Sequence, residues 1–145
     1  MRYKKIMLPC LLLVAATTYG NAQTKHRAAP SRFARAMVNG KTVYTQNCVT
    51  CHQADGGGVA TMNPPLIKTT YVLGDKTTLI KIVLNGFNED VQINGQTYSN
   101  TMTPHDAMKD QDIADVLTYV RNSFTNRASS VSVALVKSVR AGNKK

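Results

Sequence analysis

The chain has 145 residues, which is enough for one domain and too few for two. Its formal net charge is +10, but residues 40–120 contain five lysines and all eight acidic residues, so this stretch is slightly acidic. This distribution argues against nucleic-acid binding, because the excess positive charge lies in two end segments that we expect to be solvated.

The first 22 residues have the pattern of a cleaved signal peptide. A basic segment at residues 2–5 precedes an apolar run over residues 6–16, and residues 20–22 offer the small side chains that a signal peptidase requires. The apolar run is short for a membrane span, which takes about 20 residues. We therefore predict a periplasmic or secreted protein from which Cys10 is removed with the signal peptide.

Residues 23–38 are predicted to form a basic lead-in and the start of the first helix. We expect this helix to begin near Ser31 or Asn39 and to end at about Asn47, because residues suited to one buried face recur at four-residue spacing. These residues are Gly40, Tyr44 and Cys48. Residues 53–66 contain three consecutive glycines and two prolines, and they are predicted to form a loop.

The next segment contains signals for a short helix and a hairpin. Asp75 is a suitable N-cap for a helix whose C-terminal stop is Gly86. Asn94 and Gly95 form a two-residue turn signal, and we predict short strands on either side of it, at residues 91–93 and 96–98.

A third helix is predicted after Asp110, which we assign as its N-cap. Apolar residues follow the helical spacing, namely Ile113, Val116, Leu117, Val120 and Phe124.

Residues 39–127 are predicted to form the domain, and residues 128–145 an amphipathic segment and a basic tail. The fold class is all-α, with three to four helices and long loops. Roughly thirty residues of loop between the first two helices indicate that a large cofactor supplies part of the core.

Residues 48–52 read CVTCH, which is the attachment motif for covalent haem. The thiols of Cys48 and Cys51 add to the two vinyl groups of the haem, and His52 presents its imidazole to the iron from one side. A zinc site would need a second ligand pair, but His26 and His105 are isolated. A thioredoxin-like redox pair would need a strand before the motif. A disulfide would leave the adjacent histidine unexplained.

Around this motif the sequence resembles class I cytochromes c over residues 39–124, and in particular the small periplasmic cytochrome c domains of bacterial sugar and alcohol dehydrogenases. The matching stretches are residues 40–44, 48–52, 55–58, 63–66, 94–95, 102 and 115–124. The resemblance implies the cytochrome c fold around one covalent haem c, with Gly40 and Tyr44 packed against Tyr119. It also implies that the carbonyl of Pro64, or alternatively Pro65, accepts a hydrogen bond from the proximal His52. Tyr71 and Tyr98 are further candidates for contact with the haem.

Met102 is the candidate for the second axial ligand of the iron. It lies in a polar loop before the last main helix, where it can close over the other haem face, and it matches the distal methionine of the family. His105 is the main alternative, since imidazole is also a good iron ligand. Met62, Met108 and an open sixth position are further alternatives.

Ligation by histidine and methionine fills both axial positions and is typical of an electron carrier rather than an enzyme. We expect single electrons to pass from a dehydrogenase to a respiratory acceptor. A haem peroxidase or gas sensor is the alternative, and it would need an open sixth site.

We expect the protein to be a monomer whose basic tails make weak contact with membrane surfaces. We also expect an uncharged rim around the exposed haem edge, formed by the loop at residues 56–58 and by residues near Met102.

Overall fold

A computed structural model describes residues 29–143, which form a helical fold with one small antiparallel sheet. The elements in chain order are α1 (Arg32–Asn47), α2 (Val49–His52), α3 (Thr70–Leu73), α4 (Lys76–Asn85), β1 (Val91–Ile93), β2 (Gln96–Tyr98), α5 (Asp110–Asn122) and α6 (Val133–Gly142). The predicted signal peptide, Cys10 and His26 lie outside the described residues. The predicted helical fold class is confirmed, and α2 and α3 are single turns that add to the helices expected from the sequence.

Helices α1 and α5 cross at Gly40, as the resemblance implies. Gly40 is buried, and a Cβ atom built on it would meet the backbone oxygen of Asp115 and would lie 2.7 Å from the Cβ of Tyr119. The missing side chain therefore lets the two helices approach closely. One turn along α1, the ring of Tyr44 packs at 5.6 Å from that of Tyr119 and at 5.3 Å from that of Phe124.

Replacing Gly40 with alanine is expected to lower the free energy of unfolding of the holoprotein by about 2–3 kcal/mol. The added methyl group meets backbone atoms of Asp115 that cannot rotate away, and this overpacking outweighs the better helix propensity of alanine. Denaturant titration followed by circular dichroism measures the effect. Gly142→Ala is the matched control, because a Cβ at Gly142 meets nothing within 4 Å. Equal stability of the two variants would contradict the role of Gly40.

The second predicted helix and the hairpin are confirmed. The Asp75 carboxylate accepts a hydrogen bond from the backbone N–H of Thr78 at 2.7 Å, so Asp75 is the N-cap of α4. Gly86 ends this helix at a φ of 75°, which is strained for residues with a side chain. Asn94 and Gly95 both have positive φ and connect β1 to β2.

The last main helix begins one residue earlier than predicted. Lys109 is the N-cap of α5 and makes no side-chain cap hydrogen bond, whereas Asp110 is the first helical residue. The assignment of Asp110 as N-cap is therefore wrong. Its carboxylate instead forms an ion pair with Arg140 of α6 at 2.7 Å. The predicted apolar stripe is buried from Ile113 to Val120, whereas Phe124 lies beyond the end of α5 and is partly buried.

The C-terminal segment completes the core. Its buried valines, which belong to the same apolar cluster as α4 and α5, are Val131, Val136 and Val139. Thr118 of α5 accepts the backbone N–H of Val131 through its hydroxyl at 3.0 Å. Residues 128–143 therefore pack on the domain that precedes them. Within residues 29–143, no helix combines the length and the apolar character that a membrane crossing requires.

The expectation of solvated basic end segments is wrong for Arg121 and Arg140. Arg121 is 3% exposed, and its guanidinium donates to the carbonyl oxygens of Val72 at 2.5 Å and of Ser129 at 2.9 Å. Burial lowers the pKa of Arg121 from its usual value. Arg121 thus connects the end of α3 to the segment before α6. A sequence pattern leads one to expect that an arginine side chain is exposed to solvent. It does not show that the folded backbone places carbonyl groups next to that arginine.

Candidate functional site

The CVTCH segment lies at the corner between α1 and α2. The backbone N–H of Cys48 donates to Tyr44 at the end of α1, and the N–H of His52 donates to Cys48, at 2.8 and 2.9 Å. The Tyr44 hydroxyl donates to the carbonyl of Gln53 at 2.6 Å, and burial raises the pKa of this phenol, which therefore stays protonated. The tyrosine fixes the end of the turn that carries the two cysteines and the histidine.

Both cysteines are free thiols with different exposure. Cys51 is exposed, whereas Cys48 is half-buried against the main apolar cluster. Burial raises the pKa of the Cys48 thiol to about 11, and the neighbouring Cys51 adds to this effect. The Cys48 thiol is therefore protonated at neutral pH.

The His52 imidazole is buried and oriented by a backbone carbonyl. Its Nδ1 lies 3.0 Å from the oxygen of Pro64, which is the contact that the resemblance implies. Because a carbonyl can only accept, Nδ1 carries the hydrogen, and Nε2 is the nitrogen left for a metal. Burial lowers the pKa of His52; the bond to Pro64 opposes this shift, and the charge on His105 reinforces it.

The glycine-rich loop holds Pro64 in place. Its first anchor is the N–H of Gly58, which donates to the carbonyl of His52 at 3.1 Å, and its second is the N–H of Leu66, which donates to Gly56 at 2.7 Å. Gly58 has a φ of 68°, and a Cβ there would lie 2.7 Å from the carbonyl carbon of Pro64. The loop is thus folded tightly against the histidine that it orients.

An apolar cavity of about 220 Å³ brings most of the candidate residues together. Among the sequence-predicted residues, those on its wall are Cys48, Cys51, His52, Pro64, Pro65, Tyr71, Met102, His105 and Met108. The apolar side chains that sequence reasoning did not assign to it include Phe87, Val91, Ile93, Leu79, Val83 and Val116. The helical residues among these have the apolar spacing of a buried helix face, which is the same whether that face meets other side chains or a cofactor. Sequence reasoning therefore could not assign them to the cavity.

Met102 is held at the cavity wall by its backbone. It exchanges two hydrogen bonds with Phe87, at 2.7 and 3.0 Å, and its carbonyl lies against Gly86. The backbone N–H of His105 donates to Val83 of α4 at 2.9 Å. Met62, by contrast, is 48% exposed and is not part of the cavity wall.

Two groups of residues that the sequence placed near the haem are not among those that line the cavity. Tyr98 does not line the cavity: it packs with Val91 and Ile93, and its hydroxyl donates to Gln96 at 3.1 Å. The loop at residues 56–58 does not line the cavity either, because Gly56 is buried against Phe124 and the loop folds onto the histidine turn. The exposed residues of the cavity wall lie elsewhere, and they are Asn47, Cys51, Asn100, Thr101 and Thr103.

The wall is uncharged around its whole extent. Within residues 29–143, the side chains that line the cavity include no Asp, Glu, Lys or Arg. The exposed wall residues near Met102 are uncharged, as predicted for the rim, whereas the predicted residues 56–58 are not among the wall residues.

Asn126 is a buried residue that sequence reasoning missed. Its side chain donates to Leu66 at 2.9 Å and to Val120 at 2.8 Å, and it accepts the N–H of Lys68 at 2.7 Å. It joins the loop after Pro64 to the end of α5. An asparagine just beyond a helix is a weak signal, because most such residues are exposed.

The residues around the cavity fit a covalently attached haem. Two thiols and an oriented imidazole lie on one short segment, the wall is apolar, and a thioether and a second imidazole are available from the segment after β2. A flat apolar macrocycle would fill this space and provide the part of the core that the protein side chains leave open.

Comparison with known proteins agrees with this chemistry. The family model described as cytochrome c matches residues 37–124. The cytochrome c subunit of the quinone alcohol dehydrogenase of Gluconacetobacter polyoxogenes is 33% identical over 115 residues, which are 72% of this chain and 23% of that protein. The chain thus spans about a quarter of the length of this relative.

Two further relatives extend the comparison. Cytochrome c-552 of Thermus thermophilus is 30% identical over 95 residues, covering 63% of this chain and 64% of the relative. The cytochrome subunit of the fructose dehydrogenase of Gluconobacter japonicus is 28% identical over 133 residues, covering 88% of this chain and 27% of that protein.

Proposed function

The chain belongs to the cytochrome c family, which carries covalently bound haem c, and on this premise we propose that it is a periplasmic electron carrier without catalytic activity of its own. It takes single electrons from a dehydrogenase and passes them to a respiratory acceptor. The observation that carries this proposal is the cavity, whose apolar wall includes Cys48, Cys51, the oriented imidazole of His52 and the Met102 thioether.

Cys48 and Cys51 are the attachment residues and His52 is the proximal ligand in this proposal. The haem iron, when bound, can gain and lose one electron. The hydrogen bond from His52 to Pro64 fixes the plane of the imidazole and makes Nε2 a stronger donor to the iron. Because His52 is buried and its pKa is lowered, the ring is neutral at pH 7 and its lone pair is available.

Met102 is the proposed distal ligand. Its backbone is fixed to Phe87 by two hydrogen bonds, so a ligand at this position needs little reordering to meet the iron. Occupying both axial positions with protein groups excludes substrate, which favours electron transfer over peroxidase chemistry or gas sensing.

Electrons would enter and leave at the neutral mouth of the cavity. Cys51 is exposed there, and Asn100 and Thr101 provide uncharged polar groups around it. Small neutral redox interfaces are weak and dissociate quickly, which suits a carrier that must exchange partners. The named relatives include cytochrome subunits of quinone alcohol and fructose dehydrogenases, and they support a dehydrogenase as the donor.

The proposal is tested on full-length chain expressed with its N-terminal segment in a bacterial host that attaches haem. We expect haem that remains on the chain after denaturation, reversible one-electron reduction, and a weak long-wavelength absorption band from iron–sulfur bonding in the oxidised protein. We also expect negligible peroxide turnover and no binding of carbon monoxide at neutral pH. Ready binding of carbon monoxide together with peroxide turnover would instead assign the haem peroxidase or gas-sensor alternative. A colourless chain would overturn the proposal.

A further inference from the structure

We propose that Arg140 is a positioning residue that makes Met102, rather than His105, the distal ligand. This inference rests on the proposed function, because it takes Met102 as an iron ligand. Arg140 lies in α6, outside residues 37–124 that match the family model. It therefore concerns a part of this chain that the general family pattern does not cover.

The guanidinium of Arg140 clamps the segment between Met102 and α5 at three points. Its Nε donates to the Asp110 carboxylate at 2.7 Å, and its two terminal nitrogens donate to the carbonyl oxygens of Asp106 and Met108, each at 2.6 Å. All three hydrogen bonds fall on one five-residue stretch, residues 106–110. Arg140 is partly buried, with a side-chain exposure of 32%. Its charge-assisted bonds to Asp110 and Met108 are partly buried, whereas the bond to Asp106 is exposed.

The clamp is itself anchored to the core. Val136 and Val139 of α6, in the turn that precedes Arg140, are buried in the main cluster at 0% and 7% exposure. Beyond Arg140, Asn143 exchanges two side-chain hydrogen bonds with Asn85 at the end of α4. The guanidinium is thus presented from a fixed helix rather than from a mobile tail.

The clamped stretch begins directly after His105, the second imidazole on the cavity wall. The backbone of His105 is fixed at Val83 from one side, and the two carbonyls bound by Arg140 lie one and three residues further on. With these carbonyls held, the chain that follows His105 is restrained, and we expect this restraint to keep the His105 imidazole from reaching the iron. Met102 is fixed independently through Phe87, so the clamp restrains the competing ligand and leaves the thioether in place.

Release of the clamp is expected to allow a ligand exchange. In the haem-loaded chain, the Met102 sulfur would leave the iron and a His105 ring nitrogen would replace it, with no change in the oxidation state of the iron and no net proton transfer when the imidazole is neutral. Imidazole binds ferric iron more strongly than thioether does, so the exchange lowers the reduction potential. The fold itself need not change.

The test replaces Arg140 by methionine in the holoprotein at a fixed neutral pH. We expect loss of most of the long-wavelength iron–sulfur band and a lower reduction potential. The double variant R140M/H105N is expected to regain the band, because the competing imidazole is gone. A purely structural role of Arg140 would lower the thermal midpoint without this rescue.

Lys137→Met is the matched control, since Lys137 is exposed on the same helix and carries the same charge. It should keep both the band and the potential. If R140M yields no holoprotein, R140K replaces it, because one ammonium group cannot bind all three oxygens. An unchanged band and potential in R140M, or in R140K where that variant is used, would overturn the inference. Absence of the band from the unmodified protein would instead refute Met102 ligation itself.

Discussion

The double variant Cys48→Ala, Cys51→Ala is expected to carry no covalent haem and to lose cooperative folding. The cavity of about 220 Å³ is lined by side chains of the main core, and without the haem these apolar surfaces face a void or water. Residues 63–66, which follow the glycines and line the cavity, would lose the group they face, and the glycine-rich loop before them is held mostly by backbone hydrogen bonds. Unfolding free energies of small domains are about 5–15 kcal/mol, so the loss of a central core component removes most of this margin.

The measurement combines a haem stain on a denaturing gel with thermal melting followed by circular dichroism. Thr50→Ala is the matched control, because Thr50 lies between the two cysteines and is exposed. It should keep covalent haem and a sharp transition. A double-cysteine variant that melts cooperatively with a native near-ultraviolet signal would show that the protein side chains form a sufficient core by themselves.

Replacing Met102 with alanine is expected to remove the long-wavelength iron–sulfur band and to lower the reduction potential by on the order of 0.1 V or more, because axial ligands set haem potentials over a wide range. The backbone of residue 102 stays paired with Phe87 in this variant, so folding should be little affected. Spectroelectrochemical titration measures both changes at once. External ligands such as imidazole should then bind to the oxidised protein.

Met62→Ala is the control for this experiment, since Met62 is also a methionine but is 48% exposed and lies away from the cavity. It should leave the band and the potential unchanged. Retention of the band in M102A would assign the sulfur ligand to another methionine, and Met108 would be the candidate because it lines the same cavity.

The parts of this structure that could be predicted from the sequence depend on neighbours in the chain. Asp75 and Gly86 bound α4 because a cap and a stop act over a few residues. The Asn94–Gly95 turn forms the hairpin for the same reason. The CVTCH motif concentrates three reactive groups on five residues, so the site chemistry is also local.

The parts that could not be predicted depend on contacts between distant segments. Arg121 reaches Val72, 49 positions away, and Arg140 reaches Asp106 across 34 positions. The sequence around a charged residue in a basic C-terminal stretch does not indicate that distant carbonyl groups accept hydrogen bonds from it. The sequence predicts contact of Tyr98 with the haem, yet Tyr98 packs behind Val91 and Ile93, which line the cavity while Tyr98 does not. Strand periodicity fixes that two residues share a face but not what this face meets.

The loop after His52 is a second place where the sequence does not identify the contact that a residue makes. Three glycines suggested an exposed edge, but a glycine is needed equally where a loop packs against a ring, as Gly56 does against Phe124. A glycine in the sequence therefore indicates that another group can approach the backbone closely, but it does not indicate which group does so.

The position of the core valines near the end of the chain has a consequence for biogenesis. Val131, Val136 and Val139 complete the core, yet they leave the ribosome and, on the proposed route, cross the inner membrane well after the two cysteines. For a time the thiols of Cys48 and Cys51 are outside while the part of the main core that these valines complete is still missing. We expect this interval to give the attachment machinery access to both thiols before the last helix docks.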